Sequence, residues 1–237
     1  MAEKDKISVC VFGSSSTKTP ETFLKVGYAL GALLAEKSYP CLNGGGKFGV
    51  MGAVNRGIID SNGVAIGVIH SKWVVDVDEM QHGMTKMIVA DGDNLVERKR
   101  LLVDNSDCFI CLPGGPGTYD ELHEVMCEKQ LGFHNKPIVI VNVDNFFDGT
   151  IAQLNAAKDN SLLHLDIKDI VHVCSSIEEA VAYCERECRH RVTVFPKVIQ
   201  EKVGQEKSLP ILGKSFSTGL ITGAIIAYMF LKVTARL

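Results

Sequence analysis

The 237-residue sequence has few aromatic residues and no dominant charge sign. It contains one tryptophan, and 25 lysine and arginine side chains balance 28 aspartate and glutamate side chains, for a net charge of −3. No stretch gathers lysine and arginine into a basic stripe. Binding to a phosphate backbone needs such clustered cations, so a nucleic-acid partner is disfavoured. A small-molecule ligand is expected instead, on one α/β domain with a short appendage.

The first ten residues are not typical of a targeting signal. Residues 1–10 (MAEKDKISVC) mix acidic and basic side chains and run directly into a strand-like segment. They have neither the apolar core of a signal peptide nor the acid-poor character of a transit peptide. We therefore expect the globular part to be cytosolic.

The eight cysteines are scattered, mostly within apolar segments, which is typical of reduced core thiols rather than of a disulfide framework. Cys108 and Cys111 have C-x-x-C spacing, but they lie in an apolar run that predicts a buried strand. Cys184, Cys188 and His190 have a spacing that a metal could use on one helix face. No second ligand pair at matching spacing occurs, so zinc is the lesser alternative.

Short apolar runs alternate with helix-length segments along the chain. The predicted strands are 7–12, 41–42, 64–69, 87–90, 108–112, 137–141 and 170–173. The predicted helices are 21–36, 50–60, 94–105, 119–131, 146–158 and 177–189. This alternation predicts an α/β fold: a doubly wound, Rossmann-like parallel sheet with helices on both faces. Ligands of such sheets bind beyond the carboxyl ends of the strands.

One long apolar run lies near the C-terminus. Residues 215–231 carry no charge and are bracketed by Lys214 and Lys232. Together with 209–212 they reach ~30 Å as a helix, the thickness of the hydrocarbon core. A helix docked on the domain, the alternative, would normally have a polar face, and this run has almost none.

We therefore expect the fold to include one C-terminal transmembrane helix, a tail anchor on the mitochondrial outer membrane, endoplasmic reticulum or peroxisome. The predicted boundaries are 1–190 for the nucleotide-binding catalytic domain, 191–208 for a linker, 209–232 for the anchor and 233–237 for a short tail.

A first glycine-rich loop follows the second predicted strand. It contains Gly44, Gly45 and Gly46, and Gly44-x-Gly46-x-x-Gly49 formally fits the dinucleotide-binding fingerprint. The fit is weak, because the fingerprint normally follows the first strand and needs an acidic residue at the end of the next one, where His70 stands. The alternative function, that of an NAD-dependent oxidoreductase, is supported by this loop alone. The physical expectation is that its backbone amides approach a phosphate or ribose.

A second glycine loop, before a predicted helix, is more specific. Gly114, Gly115 and Gly117 allow close approach of a ligand, and Thr118 can bind a phosphate oxygen. Glu121 lies one turn into the helix, where it can face the ligand. The alternative is a capping box, in which Thr118 caps the helix and Glu121 bonds the N-cap amide.

A charged cluster, 97–100, begins another predicted helix, and part of it is expected to be a solvated face. Four segments of the sequence together resemble the Lonely Guy (LOG) family of cytokinin riboside 5′-monophosphate phosphoribohydrolases. They are Glu97-Arg98-Lys99, the motif PGGxGTxxE at 113–121, the loop GGGxxGxMG at 44–52 and the stretch 130–144. The resemblance covers 7–188. The sequence departs from the family pattern at Asn43, Val96 and Pro116, and in its C-terminal run.

The resemblance implies a catalytic pair, Arg98 and Glu121, a 5′-phosphate held by the loop 114–118, and a homodimer with sites near its interface. The implied reaction hydrolyses the N-glycosidic bond of a purine or cytokinin nucleoside 5′-monophosphate to free base and ribose 5-phosphate. Cleavage creates positive charge on the sugar and negative charge on the base, so Glu121 is expected to stabilise the sugar and Arg98 the leaving base.

No metal or cofactor is expected, because loop amides, Thr118 and Lys99 can hold the phosphate. The name lysine decarboxylase, used for such sequences, does not follow from these residues, since nothing marks a Schiff-base lysine with its pyridinium partner. The remaining alternative is a non-catalytic nucleotide- or cofactor-binding carrier of the same fold.

Overall fold

The structure, a computed structural model, describes residues 6–74 and 81–194. All of them belong to the first of the two units into which the chain divides, Met1–Phe195 and Pro196–Leu237. The strands are β1 (Val9–Phe12), β2 (Cys41–Asn43), β3 (Ala65–His70), β4 (Lys86–Ala90), β5 (Cys108–Cys111), β6 (Ile138–Val141) and β7 (His172–Cys174). The helices are α1 (Glu21–Glu36), α2 (Gly49–Asp60), α3 (Ser71–Val74), α4 (Val96–Asp104), α5 (Pro116–Gln130), α6 (Asp148–Asp159), α7 (Ile167–Ile170) and α8 (Ile177–Val194), with a 3₁₀ turn at Val143–Asn145.

The strands form one parallel sheet in the order β4-β3-β2-β1-β5-β6-β7. The chain winds outward from β1 to β4, then returns to the other side of β1 and winds outward from β5 to β7. β1 and β5 are neighbours, with Phe12 opposite Cys111 at their carboxyl ends. The winding direction reverses between them, and the loops that leave two such strands diverge and open a crevice. The fold therefore places its ligand site beyond β1 and β5.

Two clusters of buried apolar side chains cover the two faces of the sheet. Successive side chains of a strand point to opposite faces, so β1 contributes Val9 and Val11 to one cluster and Cys10 and Phe12 to the other. The first cluster is completed by α1, α2 and α8, and the second by α4, α5 and α7. Burial on both faces explains why the strands read as continuous apolar runs.

α1 and α2 pack with their backbones in close contact. A Cβ at Gly31 would lie 2.2 Å from the Val54 carbonyl oxygen, and one at Gly57 would lie 2.1 Å from that of Tyr28. Glycine on both helices is what permits this approach. The packing fixes the position of α2, which begins directly after the first glycine loop.

The predicted fold class needs one correction. The doubly wound parallel sheet with helices on both faces is confirmed, but a transmembrane helix is not part of the fold that the structure gives. Across residues 6–74 and 81–194, no helix is long and apolar enough to cross a membrane. α8 has 18 residues, but it carries Glu178 and Glu179 in its first turn. A helix packed on a sheet needs only one apolar face, so its other face can be charged. The predicted linker and the span 209–232 lie outside the described residues, and the predicted domain boundaries stay predictions.

The cysteines of the strands serve packing. Cys108 and Cys111 lie fully buried on β5, which confirms the interpretation of this C-x-x-C pair as part of a buried strand. Cys184 and Cys188 are buried on α8 within the first cluster. The side chain of His190, the third residue of the alternative zinc site, lies outside the described residues.

Candidate active site

Three loops meet at the carboxyl end of the sheet: those after β1, β2 and β5. The Ser14 amide donates to the Pro113 carbonyl oxygen (3.0 Å), and the Ser14 carbonyl accepts from the Met51 amide (3.0 Å). The loop after β1 is thereby tied both to the loop after β5 and to the first turn of α2. Between the loops lies a cleft of about 920 Å³.

Glycine is required where the loops touch. Gly49 has φ +63°, and a Cβ there would lie 2.3 Å from the Ser14 carbonyl oxygen. A Cβ at Gly114 would lie 2.0 Å from the Thr118 hydroxyl oxygen and 2.8 Å from the Ser14 amide nitrogen. Gly114 is therefore needed for the packing of the loops and does not itself line the cleft.

Two buried asparagines shape the first glycine loop. Asn43 accepts a hydrogen bond from the Gly45 amide (2.8 Å) and donates one to the Asn55 side-chain oxygen (2.7 Å). Asn55 in turn donates to the Gly46 carbonyl oxygen (3.1 Å). Asn43, one of the positions that depart from the family pattern, thus holds the loop in shape. Gly44 and Gly46 line the cleft.

α5 begins at Pro116, three residues before its predicted start, with Gly115 as its N-cap. Thr118 is therefore the third helical residue and Glu121 belongs to the second turn, which argues against the capping box. Pro116 has no N–H, and within the helix the Gly117 and Thr118 amides have no carbonyl one turn earlier to bond. These amides and the positive end of the helix dipole form the part of the cleft best suited to an anion.

Arg98 of α4 and Glu121 of α5 form an ion pair in the cleft. Arg98 Nη1 lies 3.0 Å from Glu121 Oε1, and the two side chains are 11% and 15% exposed. Arg98 Nε donates to the Val68 carbonyl oxygen (3.0 Å), at the end of the sheet. A Cβ at Gly44 would lie 2.5 Å from Arg98 Nη2, so the guanidinium packs against the first glycine loop.

The electrostatics of the pair follow from its burial. Desolvation raises the pKa of the Glu121 carboxyl above its ordinary value, and the charge and hydrogen bond of Arg98 oppose that rise. Since little water screens the two groups, their field within the cleft is strong. The arrangement supplies one carboxylate and one cation at fixed positions beside an anion-binding helix end.

Most of the predicted site residues line this cleft, and three do not. The lining set is Gly44, Gly46, Arg98, Gly115, Gly117, Thr118 and Glu121. Gly45 and Gly114 shape the loops instead. Lys99 is turned toward α5, with Nζ 3.2 Å from Asp120 Oδ1 and 2.9 Å from Glu124 Oε2.

Sequence reasoning missed the contribution of the loop after β1. Ser14, Ser15 and Ser16 line the cleft, as does Lys72 of α3. A signal for the serines was available, because they directly follow the first strand, at the edge where ligands of this fold bind. Nothing in the sequence pattern pointed to Lys72, since α3 is too short to show a helical period.

His70 ends β3, at the position where a dinucleotide-binding fold needs an acidic residue. Its Nδ1 accepts from the Lys72 amide (3.1 Å), and its Nε2 lies 2.9 Å from the Gly92 carbonyl oxygen. Both ring nitrogens therefore contact backbone groups. A histidine committed to backbone groups cannot bind a ribose as a carboxylate would, so the NAD-dependent alternative is disfavoured.

Comparison with known proteins gives a consistent result. A family model described as possible lysine decarboxylase matches residues 51–184. A cytokinin riboside 5′-monophosphate phosphoribohydrolase of Mycobacterium tuberculosis is 34% identical over 177 residues, covering 75% of this chain and 92% of the relative. One of Rhodococcoides fascians is 30% identical over 175 residues, covering 74% and 87%.

Among solved structures, the molybdenum cofactor carrier protein of Chlamydomonas reinhardtii superposes with a TM-score of 0.58 at 23% identity, covering 76% of this chain and 97% of that one. This similarity concerns the fold. With the motifs, the ion pair and the sequence relatives together, the chain belongs to the LOG family, whose model carries the description possible lysine decarboxylase and whose relatives above are phosphoribohydrolases.

Proposed function

We propose that the cleft hydrolyses the N-glycosidic bond of a purine or cytokinin nucleoside 5′-monophosphate and releases the free base and ribose 5-phosphate. The observation that carries the proposal is the Arg98–Glu121 pair, 3.0 Å apart in the same cleft as the N-terminus of α5. Membership of the family supports the reaction class, because the relatives are named phosphoribohydrolases.

The substrate phosphate binds at the start of α5. The Gly117 and Thr118 amides and the Thr118 hydroxyl are its donors, with the serine loop 14–16 opposite. Glu121 lies four residues after Gly117, which is roughly 6 Å along the helix axis. This distance suits a ribose 5-phosphate that extends from the helix end to the carboxylate.

The ion pair provides the charges that bond cleavage needs. As the bond to the base breaks, positive charge develops on the sugar and negative charge on the base. Glu121 stabilises the sugar and orients the attacking water, while Arg98 donates to the departing base. Both groups are held before the substrate arrives, so little reorganisation is needed in the transition state.

The apolar part of the cleft lining suits a flat base. Val11, Met51, Ile69 and Leu95 line it with apolar atoms. Such a surface favours the faces of a purine and leaves room for an apolar N6 substituent.

Base release tests the proposal directly. The full chain is incubated with AMP and with an N6-modified AMP, and free base is measured by chromatography. Arg98→Met and Glu121→Gln are each expected to lower the rate by about 10²- to 10⁴-fold, since each removes a charge used in the transition state. Glu97→Gln and Arg100→Met are matched controls, because those side chains pair with each other on the exposed face of α4. Wild-type rates in either of the first two variants would refute the mechanism.

A carrier remains the second candidate because the cofactor carrier protein shares the fold. A carrier would bind the nucleotide and release it unchanged, and it would have no use for a desolvated carboxylate beside a guanidinium. Tight binding of AMP without any release of base would favour the carrier.

We also propose that the chain forms a homodimer beside the cleft. Val89 on the edge strand β4 and Leu95 and Val96 at the start of α4 are exposed apolar side chains, and Leu95 lines the cleft. An apolar patch at an open sheet edge favours a protein contact.

A further inference from the structure

Lys99 follows Arg98 on α4 but points in another direction. Its ammonium lies between two carboxylates of α5, 3.2 Å from Asp120 and 2.9 Å from Glu124, and its side chain is 15% exposed. Burial lowers the pKa of Lys99, but the hydrogen bonds to Glu124 and Asp120 outweigh it and the net pKa is raised. Lys99 therefore stays charged and joins α4 to α5 immediately beside the Arg98–Glu121 pair.

Asp120 is a second carboxylate beside the ion pair, and its contact with Lys99 neutralises it. It neighbours Glu121 in the sequence and lines the same cleft. Without a partner, it would be a second carboxylate in a site for an anionic substrate, and it could compete with Glu121 for the guanidinium. Two carboxylates that share one cation also hinder each other's ionisation.

We propose that Lys99 is a positioning residue for base release: by holding Asp120 and Glu124 it reserves Arg98 for Glu121 and keeps an unpaired carboxylate away from the substrate phosphate. This inference rests on the proposed function. It differs from the expectation that Lys99 binds the phosphate, because the ammonium is already shared by two carboxylates and Lys99 is not among the residues that line the cleft.

The groups around Glu121 determine whether its pKa is raised or lowered. Arg98 and Lys99 face it from α4, Asp120 lies beside it on α5, and the thiols of Cys10 and Cys111 lie under it on the sheet. Burial raises the pKa of both thiols, so they stay neutral. Lys99 lowers the pKa of Glu121 and Asp120 raises it. Loss of Lys99 removes one lowering effect, while Asp120 still raises the pKa of Glu121 and Arg98 still lowers it, so the pKa of Glu121 is expected to rise.

Lys99→Met tests the proposal in the full chain, with whichever of AMP and N6-modified AMP the wild type cleaves faster. We expect kcat to fall about 10- to 100-fold, because the ion pair is displaced, while KM rises by a smaller factor, because Asp120 is left unpaired in a site for an anionic substrate. The acid limb of the pH profile of kcat/KM is expected to move to higher pH, since Glu121 must be ionised to act and its pKa rises. Lys99→Arg keeps the charge and should restore most of the activity.

The second variant is Lys99→Met combined with Asp120→Asn. If Lys99 acts by neutralising Asp120, removing that carboxylate should return the acid limb toward its wild-type pH and recover part of kcat. Arg100→Met is the control, because Arg100 pairs with Glu97 and Asp104 of its own helix, and it should leave both quantities unchanged.

Several results would overturn the proposal. A rise in KM with unchanged kcat in Lys99→Met would identify a phosphate ligand instead, and wild-type kinetics would remove any role for Lys99. If Lys99→Met does not fold, Asp120→Asn alone decides: it should move the acid limb to lower pH, and an unmoved limb contradicts the inference. Base release by the wild-type chain is measured first, so failure of the proposed function is recognised separately.

Discussion

The Arg98 and Glu121 side chains depend on each other because both lie largely out of water. Burial raises the pKa of Glu121, and Arg98 is the main opposing influence. Removing one partner leaves the other charge buried and uncompensated, which costs more than the attraction that is lost. Changes that only move the guanidinium are therefore expected to affect catalysis even when both residues are retained.

Gly44→Ala tests whether a shift of the Arg98 guanidinium is enough to affect catalysis, because the substituted position itself carries no charge. The added Cβ would lie 2.5 Å from Arg98 Nη2 and 2.9 Å from Met51 Sδ, so the guanidinium has to shift. We expect kcat/KM for base release to fall about 10- to 100-fold, with an unchanged circular dichroism spectrum. Gly149→Ala is the matched control, since a Cβ there meets nothing within 4 Å. Full activity in Gly44→Ala would mean that the guanidinium position does not matter.

The strands and the long helices were predictable from the sequence, and the short helices were not. α1 spans Glu21–Glu36, as predicted, and buries Leu30 and Leu34 at helical spacing. All seven strands were found because each overlaps an apolar run, which burial on both faces explains for β1, β2, β5 and β6. α3, α7 and the 3₁₀ turn at Val143–Asn145 escaped prediction, since three or four residues are too few to establish a period.

The site was predictable to the extent that local motifs encode it. The loop before α5 and the pair Arg98 and Glu121 came from spacing and resemblance, and the structure brings that pair together. The direction of Lys99 was not predictable, because it depends on how α4 is rotated against α5 rather than on any local pattern. The start of α5 was misjudged because proline suits the first turn of a helix as well as a loop.

Asn43→Ala tests the support of the first glycine loop. The change leaves the Gly45 amide and the Asn55 side chain without their buried partner, which is expected to lower the free energy of unfolding by about 1 to 3 kcal/mol. KM should rise because Gly44 and Gly46 lose their fixed positions. Denaturant unfolding and steady-state kinetics measure the two effects.

Asn160→Ala serves as its control. Asn160 makes an exposed hydrogen bond to the Ala156 carbonyl at the end of α6, and its loss should change stability by less than about 0.5 kcal/mol. If Asn43→Ala were equally harmless, the buried amide network would not be what holds the loop.

At the scale of the whole molecule, β4 and β7 are the edge strands of the sheet within residues 6–74 and 81–194, and the cleft lies nearer the β4 side. Val96, 61% exposed at the start of α4, belongs to the apolar patch on that side. A partner that covers this patch would also border the cleft, so dimer formation and substrate binding are expected to be linked.

Val96→Glu tests whether dimer formation and substrate binding are linked. A carboxylate in the first turn of a helix is compatible with folding, but it makes an apolar contact unfavourable. We expect the mass measured by light scattering to fall from dimer to monomer and base release to fall with it. Leu162→Glu, at a site 72% exposed between α6 and α7, should leave the mass unchanged. A wild-type chain that is already monomeric at micromolar concentration would contradict the dimer.

The close contact between the backbones of α1 and α2 fixes the position of α2, which contributes Met51 to the cleft lining. At Gly31 and Gly57 the two backbones meet directly, so α2 has little freedom to shift, and we expect the part of the cleft that Met51 lines to adapt poorly to a larger base. Both Leu95 and Lys72 line the cleft. Leu95 is exposed and Lys72 lies on the short helix α3, so both can be substituted without disturbing the core. Engineering a different base preference should therefore begin at these two positions and leave the glycine side intact.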